Sequence, residues 1–211
     1  DAIISFVGAP VPYEDHALRA LHLSLDMQTR LAEMRIDWEK EGKHLLYQRI
    51  GLNTGAMVVG NMGSVNRFDY TMMGNAVNLA ARLEGANKNY GTFTMCSEYT
   101  YEPCKNDIEF RELDLIRVMG IHTPVRIYEI LARKGDLDET KTKGVAYFTK
   151  GLELYRAQQW DEAVKYFTAV FKFIPDDPPA KIFIERCKTF KENPPVPVGE
   201  EWDGVFTAAS K

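Results

Sequence analysis

Residues 70–84 read YTMMGNAVNLAARLE: a strand-like run, a turn glycine and the start of a helix. Positions four apart lie on one side of a helix, so Asn78 and Arg82 can reach the same ligand, while Leu79 and Leu83 face the core. A helix N-terminus attracts anions, a carboxamide can hold a hydroxyl, and a guanidinium can bind two phosphate oxygens. The pattern fits a nucleotide site about as well as it fits an amphipathic helix with two solvated polar residues.

The composition is that of an ordinary globular protein, with 45% hydrophobic residues, 27% charged residues and a net charge of −4 over 211 residues. This mildly acidic balance, without a basic run, argues against a nucleic acid polymer as the main partner. No apolar run approaches the roughly 20 residues that span a bilayer, and no signal peptide opens the chain, so we expect a cytoplasmic protein. Cys96, Cys104 and Cys187 share no metal-ligand spacing and are expected to be reduced and mostly buried.

Hydrophobic periodicity predicts alternating strands and helices over the first 132 residues, and therefore an α+β fold. The predicted elements are strand 2–7, helix 15–41, a strand over 47–59 interrupted by glycines, strand 67–73, a helix ending near 89, strand 93–96, and a hairpin of 110–119 and 125–131. Gly60–Ser64 is glycine-rich but lacks the Lys-Ser/Thr pair of a P-loop. A hairpin turn is the favoured interpretation, with a phosphate cradle as the alternative.

A separate helical unit is predicted at residues 144–193, after a linker at 133–143 and before a tail at 194–211. Its helices are expected at about 141–157, from 160 onwards, and at about 179–191. The positions that match a tetratricopeptide repeat are Tyr147, Gly151, Leu154, Ala163, Phe167 and Pro175. A plain helical hairpin is the alternative. Because one repeat cannot bury its own apolar face, we expect the unit to pack on the preceding domain or on a protein partner. Trp202, Val205 and Phe206 are candidate docking residues of the tail.

Several blocks in residues 1–132 stand in the order and spacing of a known family. They are DAIISFVGAP at 1–10, RIGLNTG at 49–55, VVGNMG at 58–63 and the stretch quoted above. The run resembles the catalytic domain of the class III adenylate and guanylate cyclases in its bacterial form, which implies a ferredoxin-like core. The resemblance enters partway through that domain and no initiator Met is present. We therefore expect an N-terminally incomplete piece of a longer protein, any membrane anchor of which would lie upstream.

The resemblance implies conversion of ATP to 3′,5′-cyclic AMP and pyrophosphate, assisted by two divalent metal ions, Mg²⁺ or Mn²⁺. Asp1 corresponds to one of the two metal-binding aspartates of the family, and the other would lie upstream. Thr71 corresponds to a base-reading residue and favours ATP over GTP, although a strand-end Thr that serves packing is the alternative. Asn78 corresponds to the residue that orients the ribose, and Arg82 to the residue that stabilises charge on the α-phosphate.

One position departs from the family pattern. The last hairpin usually carries Val-Lys-Gly, with the Lys holding the terminal phosphates, whereas this chain has Met119 there, and a thioether cannot replace an ammonium group. The family builds each active site between two subunits, so the resemblance implies a homodimer with shared sites. Without the upstream metal ligand, the chain itself is expected to be inactive or nearly so. The alternatives are a guanylate cyclase, or a degenerate cyclase domain that serves as a dimerisation or protein-interaction module.

Overall fold

The structure is a computed structural model, which describes residues 2–64, 67–117, 123–197 and 199–207. Within these ranges the helices are α1 (His16–Lys40), α2 (Asn75–Tyr90), α3 (Glu98–Tyr101), α4 (Glu139–Arg156), α5 (Trp160–Val170) and α6 (Pro178–Glu192). The strands are β1 (Ile50–Leu52), β2 (Val58–Ser64), β3 (Arg67–Met73), β4 (Thr94–Ser97), β5 (Ile108–Arg117), β6 (Val125–Arg133) and β7 (Phe206–Thr207). This mixture confirms the predicted α+β class.

Five strands form one sheet in the order β1-β4-β6-β5-β7. The β1–β4 and β5–β7 pairs are parallel, and the β4–β6 and β5–β6 pairs are antiparallel. The strands β2 and β3 form a separate antiparallel hairpin, in which Val58 lies opposite Met73. The segment Gly60–Ser64 is a paired part of β2, so the hairpin was predicted correctly but these residues are its strand and not its turn, and they form no phosphate cradle.

The five-stranded sheet is covered by helices on both faces. Because alternate residues of a strand point to opposite sides, neighbouring residues of one strand enter different cores. Met95 and Ile127 enter one core, which we call the α2 core because Leu83 and the C-terminal helices complete it. Cys96 and Leu21 belong to the other, the α1 core, which α1 covers. The result is three layers: α1, the sheet, and α2 with α4–α6.

We call the C-terminal helices α4–α6 the helical module. Side-chain caps fix where two of these helices begin, and a glycine permits the close crossing of α4 and α5. The side chain of Asp138 caps α4 by accepting the N–H of Lys141 at 2.8 Å, and that of Asp177 caps α6 by accepting the N–H of Ala180 at 3.0 Å. The helices α4 and α5 approach closely at Gly151, where a Cβ atom would lie 2.8 Å from ring carbons of Phe167.

The helical module packs on the sheet, as predicted, and the tail follows it. Phe148, Phe167 and Phe183 of the module are fully buried in the α2 core. Of the candidate docking residues, Trp202 and Val205 are buried and Phe206 pairs with β5 through β7, so the docking prediction is confirmed. The likeness to a tetratricopeptide repeat stays a prediction.

Several local predictions were wrong. The run 47–59 is not one interrupted strand, because it contains β1 and the start of β2, which belong to different sheets. Residues 2–7 form no strand, and Ile3 and Ile4 are 82% and 71% exposed, because an apolar run becomes a strand only where a neighbouring strand accepts its hydrogen bonds. The predicted linker is shorter than 133–143, since β6 ends at Arg133 and the Asp138 cap starts α4 at Glu139. The other helix bounds agree with the prediction to within about two residues.

The three cysteines are buried, as predicted, and they divide between the cores. Cys96 and Cys104 lie in the α1 core and Cys187 lies in the α2 core. Burial raises the pKa of the Cys96 and Cys104 thiols, and it raises the pKa of Cys187 to about 12. Among the helices of the described ranges, none combines the length and apolar character needed to cross a bilayer.

Candidate active site

The helix α2 carries both polar residues singled out in the sequence. It is continuous from Asn75 to Tyr90, so Asn78 and Arg82 share one side, while Leu79 and Leu83 are 4% and 0% exposed. Asn78 is exposed and Arg82 is half-buried. The Nη1 atom of Arg82 is buried and has no hydrogen-bond partner within the described part of the chain. A buried donor without an acceptor is unfavourable, so a ligand oxygen would be stabilising at this position.

The first half of α2 is fixed by direct contact with β1 and the residues after it. A Cβ atom on Gly51 would lie 2.2 Å from the backbone N of Glu84 and 2.3 Å from the backbone O of Ala80, so only glycine permits this approach. Asn53 adds a polar link, because its Nδ2 donates to the backbone O of Ala76 at 2.9 Å. Its Oδ1 accepts from Ser97 Oγ at 2.5 Å, which connects the start of α2 to β4.

The second half of α2 is held by a buried amide and a buried phenol. Asn87 Nδ2 donates to the backbone O of Ile50 and of Leu83, both at 3.0 Å. Thr92 Oγ1 donates to Asn87 Oδ1 at 2.9 Å, so both the nitrogen and the oxygen of this amide are hydrogen-bonded. Tyr90, the last residue of the helix, donates its hydroxyl to a carboxylate of β5. The backbone of α2 is therefore fixed at both ends, a requirement for a site whose groups must be positioned accurately.

Thr71 lies on the outward side of the hairpin. In the β2–β3 register it stands opposite Gly60, on the same face as the pair Val58 and Met73. Those two side chains are 67% and 61% exposed, which leaves an apolar surface beside a half-buried Thr71. The other face of the hairpin, including Val59 and Met72, lines a cavity.

The cavity has a volume of about 560 Å³ and lies between residues 2–9, α1, β1 and α2. From α2 it takes Ala76, Val77, Ala80, Ala81 and Glu84, so this wall is apolar except for one carboxylate. Thr71, Asn78 and Arg82 are not among the lining residues. One copy of the chain thus does not bring the three predicted substrate-binding residues together in this cavity.

Two of the predicted positions cannot be placed. Asp1, the predicted metal ligand, and Met119, at the departure from the family pattern, both lie outside the described residues. Within the ranges that the structure describes, no group of three or more His, Cys, Asp or Glu side chains could hold a metal ion.

A buried charged triad lies between the sheet and the helical module, and it was not predicted from the sequence. Arg111 donates through Nη1 to Asp177 Oδ1 and through Nε to Glu129 Oε2, both at 2.8 Å. The side chains of Arg111 and Asp177 are 4% and 2% exposed. Burial raises the pKa of Glu129, against the lowering effect of Arg111. Charged residues inside the apolar run 108–117 are the signal that could have revealed this cluster.

A second missed cluster surrounds Asp114, which is fully buried. Arg186 Nη1 donates to Asp114 Oδ2 at 2.5 Å, and the hydroxyl of Tyr90 donates to the same oxygen at 2.6 Å. Burial raises the pKa of Asp114, and the Arg186 guanidinium partly offsets that effect. Burial also raises the pKa of Tyr90 well above its ordinary value. The cluster joins β5, the end of α2 and α6.

The family model for the adenylate and guanylate cyclase catalytic domain matches residues 1–132. The chain belongs to this family. A terminal-differentiation specific adenylate cyclase of Dictyostelium discoideum is 33% identical over 142 residues, or 65% of this chain and 7% of that protein. Adenylate cyclase 1 of Rhizobium meliloti (strain 1021) is 36% identical over 131 residues, or 62% of this chain and 20% of that protein. The cyclase domain thus spans only a small part of the length of these curated relatives.

Solved structures of cyclases share the core. The adenylyl cyclase CyaB of P. aeruginosa matches with a TM-score of 0.57 at 32% identity, covering 65% of this chain and 74% of that chain. The guanylyl cyclase Cya2 matches with a TM-score of 0.52 at 31% identity, covering 62% of this chain and 66% of that chain. The predicted cyclase core is confirmed, while an adenylyl and a guanylyl cyclase match almost equally well.

Proposed function

We propose that this cyclase domain converts ATP to 3′,5′-cyclic AMP and pyrophosphate, as the catalytic part of an adenylate cyclase. The observation that carries the proposal is the side of α2 on which Asn78 is exposed and Arg82 holds a buried Nη1 atom without a partner. Thr71 at the base-reading position supports ATP over GTP. Both curated relatives described above are named adenylate cyclases, which supports the same choice.

In this mechanism the ribose 3′-hydroxyl gives up its proton to solvent and its oxygen attacks the α-phosphorus, and the bond to the oxygen that bridges to the β-phosphate breaks, so that pyrophosphate leaves. The carboxamide of Asn78 binds the ribose and orients the attacking hydroxyl. The guanidinium of Arg82 donates to the non-bridging oxygens of the α-phosphate, where negative charge develops in the transition state.

The family resemblance adds two divalent metal ions, with Asp1 as one ligand. Carboxylate oxygens suit Mg²⁺ or Mn²⁺. The described residues nevertheless carry no group of three or more side chains that could hold such an ion. When bound, such ions would lower the pKa of the attacking hydroxyl and neutralise charge on the triphosphate.

We also propose that the chain forms a homodimer, in which each active site is shared between the two copies. Thr71 lies on the outward face of the hairpin beside the exposed side chains of Val58 and Met73, and the cavity within one copy excludes Asn78 and Arg82. A second copy packed on that apolar face would cover it and bring further groups to the site. ATP is the proposed substrate. A protein that binds the helical module would be a further partner, besides the second copy of the chain.

The test is an assay of the complete natural protein with ATP or GTP and Mn²⁺, together with the Arg82→Ala variant. We expect cyclic AMP to exceed cyclic GMP, and we expect the variant to lose about 10²–10³ in turnover, because a donor that stabilises transition-state charge is removed. Arg30→Ala is the matched control, since Arg30 is exposed on α1 and its one ion pair within the described residues is with Glu33 of the same helix. Full activity of Arg82→Ala would overturn the proposal.

A second candidate function is dimerisation without catalysis, favoured by the exposed apolar pair of Val58 and Met73 on the hairpin. Sedimentation of the complete protein separates the two candidates when it is combined with the assay above. A stable dimer that turns over neither ATP nor GTP identifies the non-catalytic module, whereas cyclic AMP production identifies the enzyme.

A further inference from the structure

The helical module and α2 share one continuous core. Leu79, Leu83 and Tyr90 of α2 belong to the same buried cluster as Phe148 of α4 and Phe183 of α6. The helix proposed to carry the catalytic groups therefore packs in a single core with three helices that lie outside the matched cyclase residues 1–132.

The most specific contact in this core is polar. Asp114 Oδ2 accepts the hydroxyl of Tyr90 at 2.6 Å and Nη1 of Arg186 at 2.5 Å, while Asp114 Oδ1 accepts the backbone N–H of Leu115 at 2.8 Å. The side chains of Asp114 and Arg186 are 0% and 12% exposed. Because the carboxylate is dehydrated, these few donors must satisfy it, and their geometry is correspondingly restricted.

The tail contacts the Asp114 cluster through Phe206, which packs on Arg186. The guanidinium of Arg186 lies 3.5 Å from the ring centroid of Phe206 and 5.2 Å from that of Tyr90. Phe206 is held by the pairing of β7 with β5, opposite Ile116. A cation between aromatic faces and away from water is favourably placed, so the tail and α6 together fix the donor that faces Asp114.

A second contact meets the same end of α2. Gly91 follows Tyr90 with φ 65°, and a Cβ atom there would lie 2.4 Å from Cβ of Pro178, near the start of α6. The carboxyl end of α2 is thus fixed laterally by the Pro178 contact and by the hydrogen bond of Tyr90.

We propose that Tyr90 and Arg186 are positioning residues: through Asp114, the helical module and the tail hold the end of α2 and so set the position of Arg82 on the same helix. This inference rests on the proposed function for its effect on catalysis. Arg82 lies eight residues before Tyr90, about 12 Å along the axis, and a helix moves as one body over that length. A displacement of about 1 Å in a catalytic group can cost as much as 10² in rate.

The test compares Tyr90→Phe with Tyr166→Phe in the complete natural protein. Tyr90→Phe keeps the ring and removes only the hydroxyl that joins α2 to Asp114. Tyr166→Phe is the matched control, because Tyr166 lies on α5 of the same helical module, where its ring packs on Tyr147 and its hydroxyl makes no hydrogen bond within the described residues. We expect Tyr90→Phe to lower kcat about tenfold with KM for ATP unchanged within about twofold, since Arg82 acts in the transition state. The control should retain the wild-type kcat.

Amide hydrogen exchange provides a readout that does not need activity. Tyr90→Phe should speed exchange over residues 75–90 by about fivefold or more, while Tyr166→Phe should not. Equal kcat in the two variants, or unchanged exchange over 75–90 in Tyr90→Phe, would overturn the positioning role. A wild-type protein that forms no cyclic nucleotide would overturn the proposed function alone, and the exchange comparison would still decide whether Tyr90 holds α2.

Discussion

At the scale of single residues, the distance along the chain between partners decides what could be predicted. Asn78 and Arg82 were found because four residues separate them on one helix. Arg111 and Asp177 are 66 residues apart, and Asp114 and Arg186 are 72 apart. No local pattern links such pairs, and only the packing of the helical module on the sheet brings them into contact.

The Arg111 triad leads to a prediction about pH. Burial raises the pKa of Glu129 above its ordinary value of 4.5, so the folded protein binds a proton there before the unfolded chain does. The stability contributed by this group is therefore greatest at low pH and falls as pH rises through the folded pKa. Glu129→Gln mimics the protonated form and keeps the Arg111–Asp177 pair, so we expect it to be more stable than wild type at pH 8.

The measurement is urea unfolding of both proteins between pH 8 and pH 4.5. The advantage of Glu129→Gln in the free energy of unfolding should shrink steadily as the pH falls, because wild-type Glu129 becomes protonated. A difference that stays constant over this range would show that burial of the charge is not the cause.

At the scale of elements, helices were predicted well and strands less well. The periodicity of an amphipathic helix is contained in its own sequence, and α1, α2 and α6 all begin and end close to the predicted residues. A strand exists only beside another strand. The apolar run at 2–7 was therefore wrongly assigned, and β7 in the tail was not foreseen.

The close approach of β1 to α2 leads to a prediction about Gly51. An added Cβ atom would meet backbone atoms of Glu84 and Ala80 at 2.2 and 2.3 Å, and backbone cannot move aside cheaply. We expect Gly51→Ala to lower the free energy of unfolding by about 3 kcal/mol or more. Urea denaturation followed by circular dichroism measures the change.

Gly85→Ala is the control for the same chemical change. Gly85 is exposed on α2 and an added Cβ would meet nothing within 4 Å, so the variant should gain up to about 1 kcal/mol from helix propensity. If Gly51→Ala were as stable as Gly85→Ala, the contact between β1 and α2 would be looser than the structure shows.

At the scale of the whole molecule, the α+β class and the sequence of helices could be predicted, whereas the order of the strands in the sheet could not. The sheet order depends on which surfaces meet, and the sequence alone does not contain that information. The same is true of the attachment of the helical module, which uses Arg111, Asp114 and the pair of Arg156 with Glu112 at 2.5 Å.

This attachment predicts that the described parts unfold as one unit. Because α2, the sheet and the helical module share one core, tryptophan fluorescence of a Trp38→Phe variant, which reports on Trp160 and Trp202, should give the same urea midpoint as far-UV circular dichroism. Two separated transitions would mean that the helical module folds independently of the cyclase core.

The division of the cysteines between the two cores has a practical consequence. Cys96 and Cys104 are shielded on the α1 side of the sheet and Cys187 on the other, so a thiol-alkylating reagent can modify each only after its own layer opens. Mass spectrometry of the three alkylated peptides over time would give the opening rate of each layer separately. The native chain therefore already carries chemical reporters for both sides of its sheet, without any engineered label.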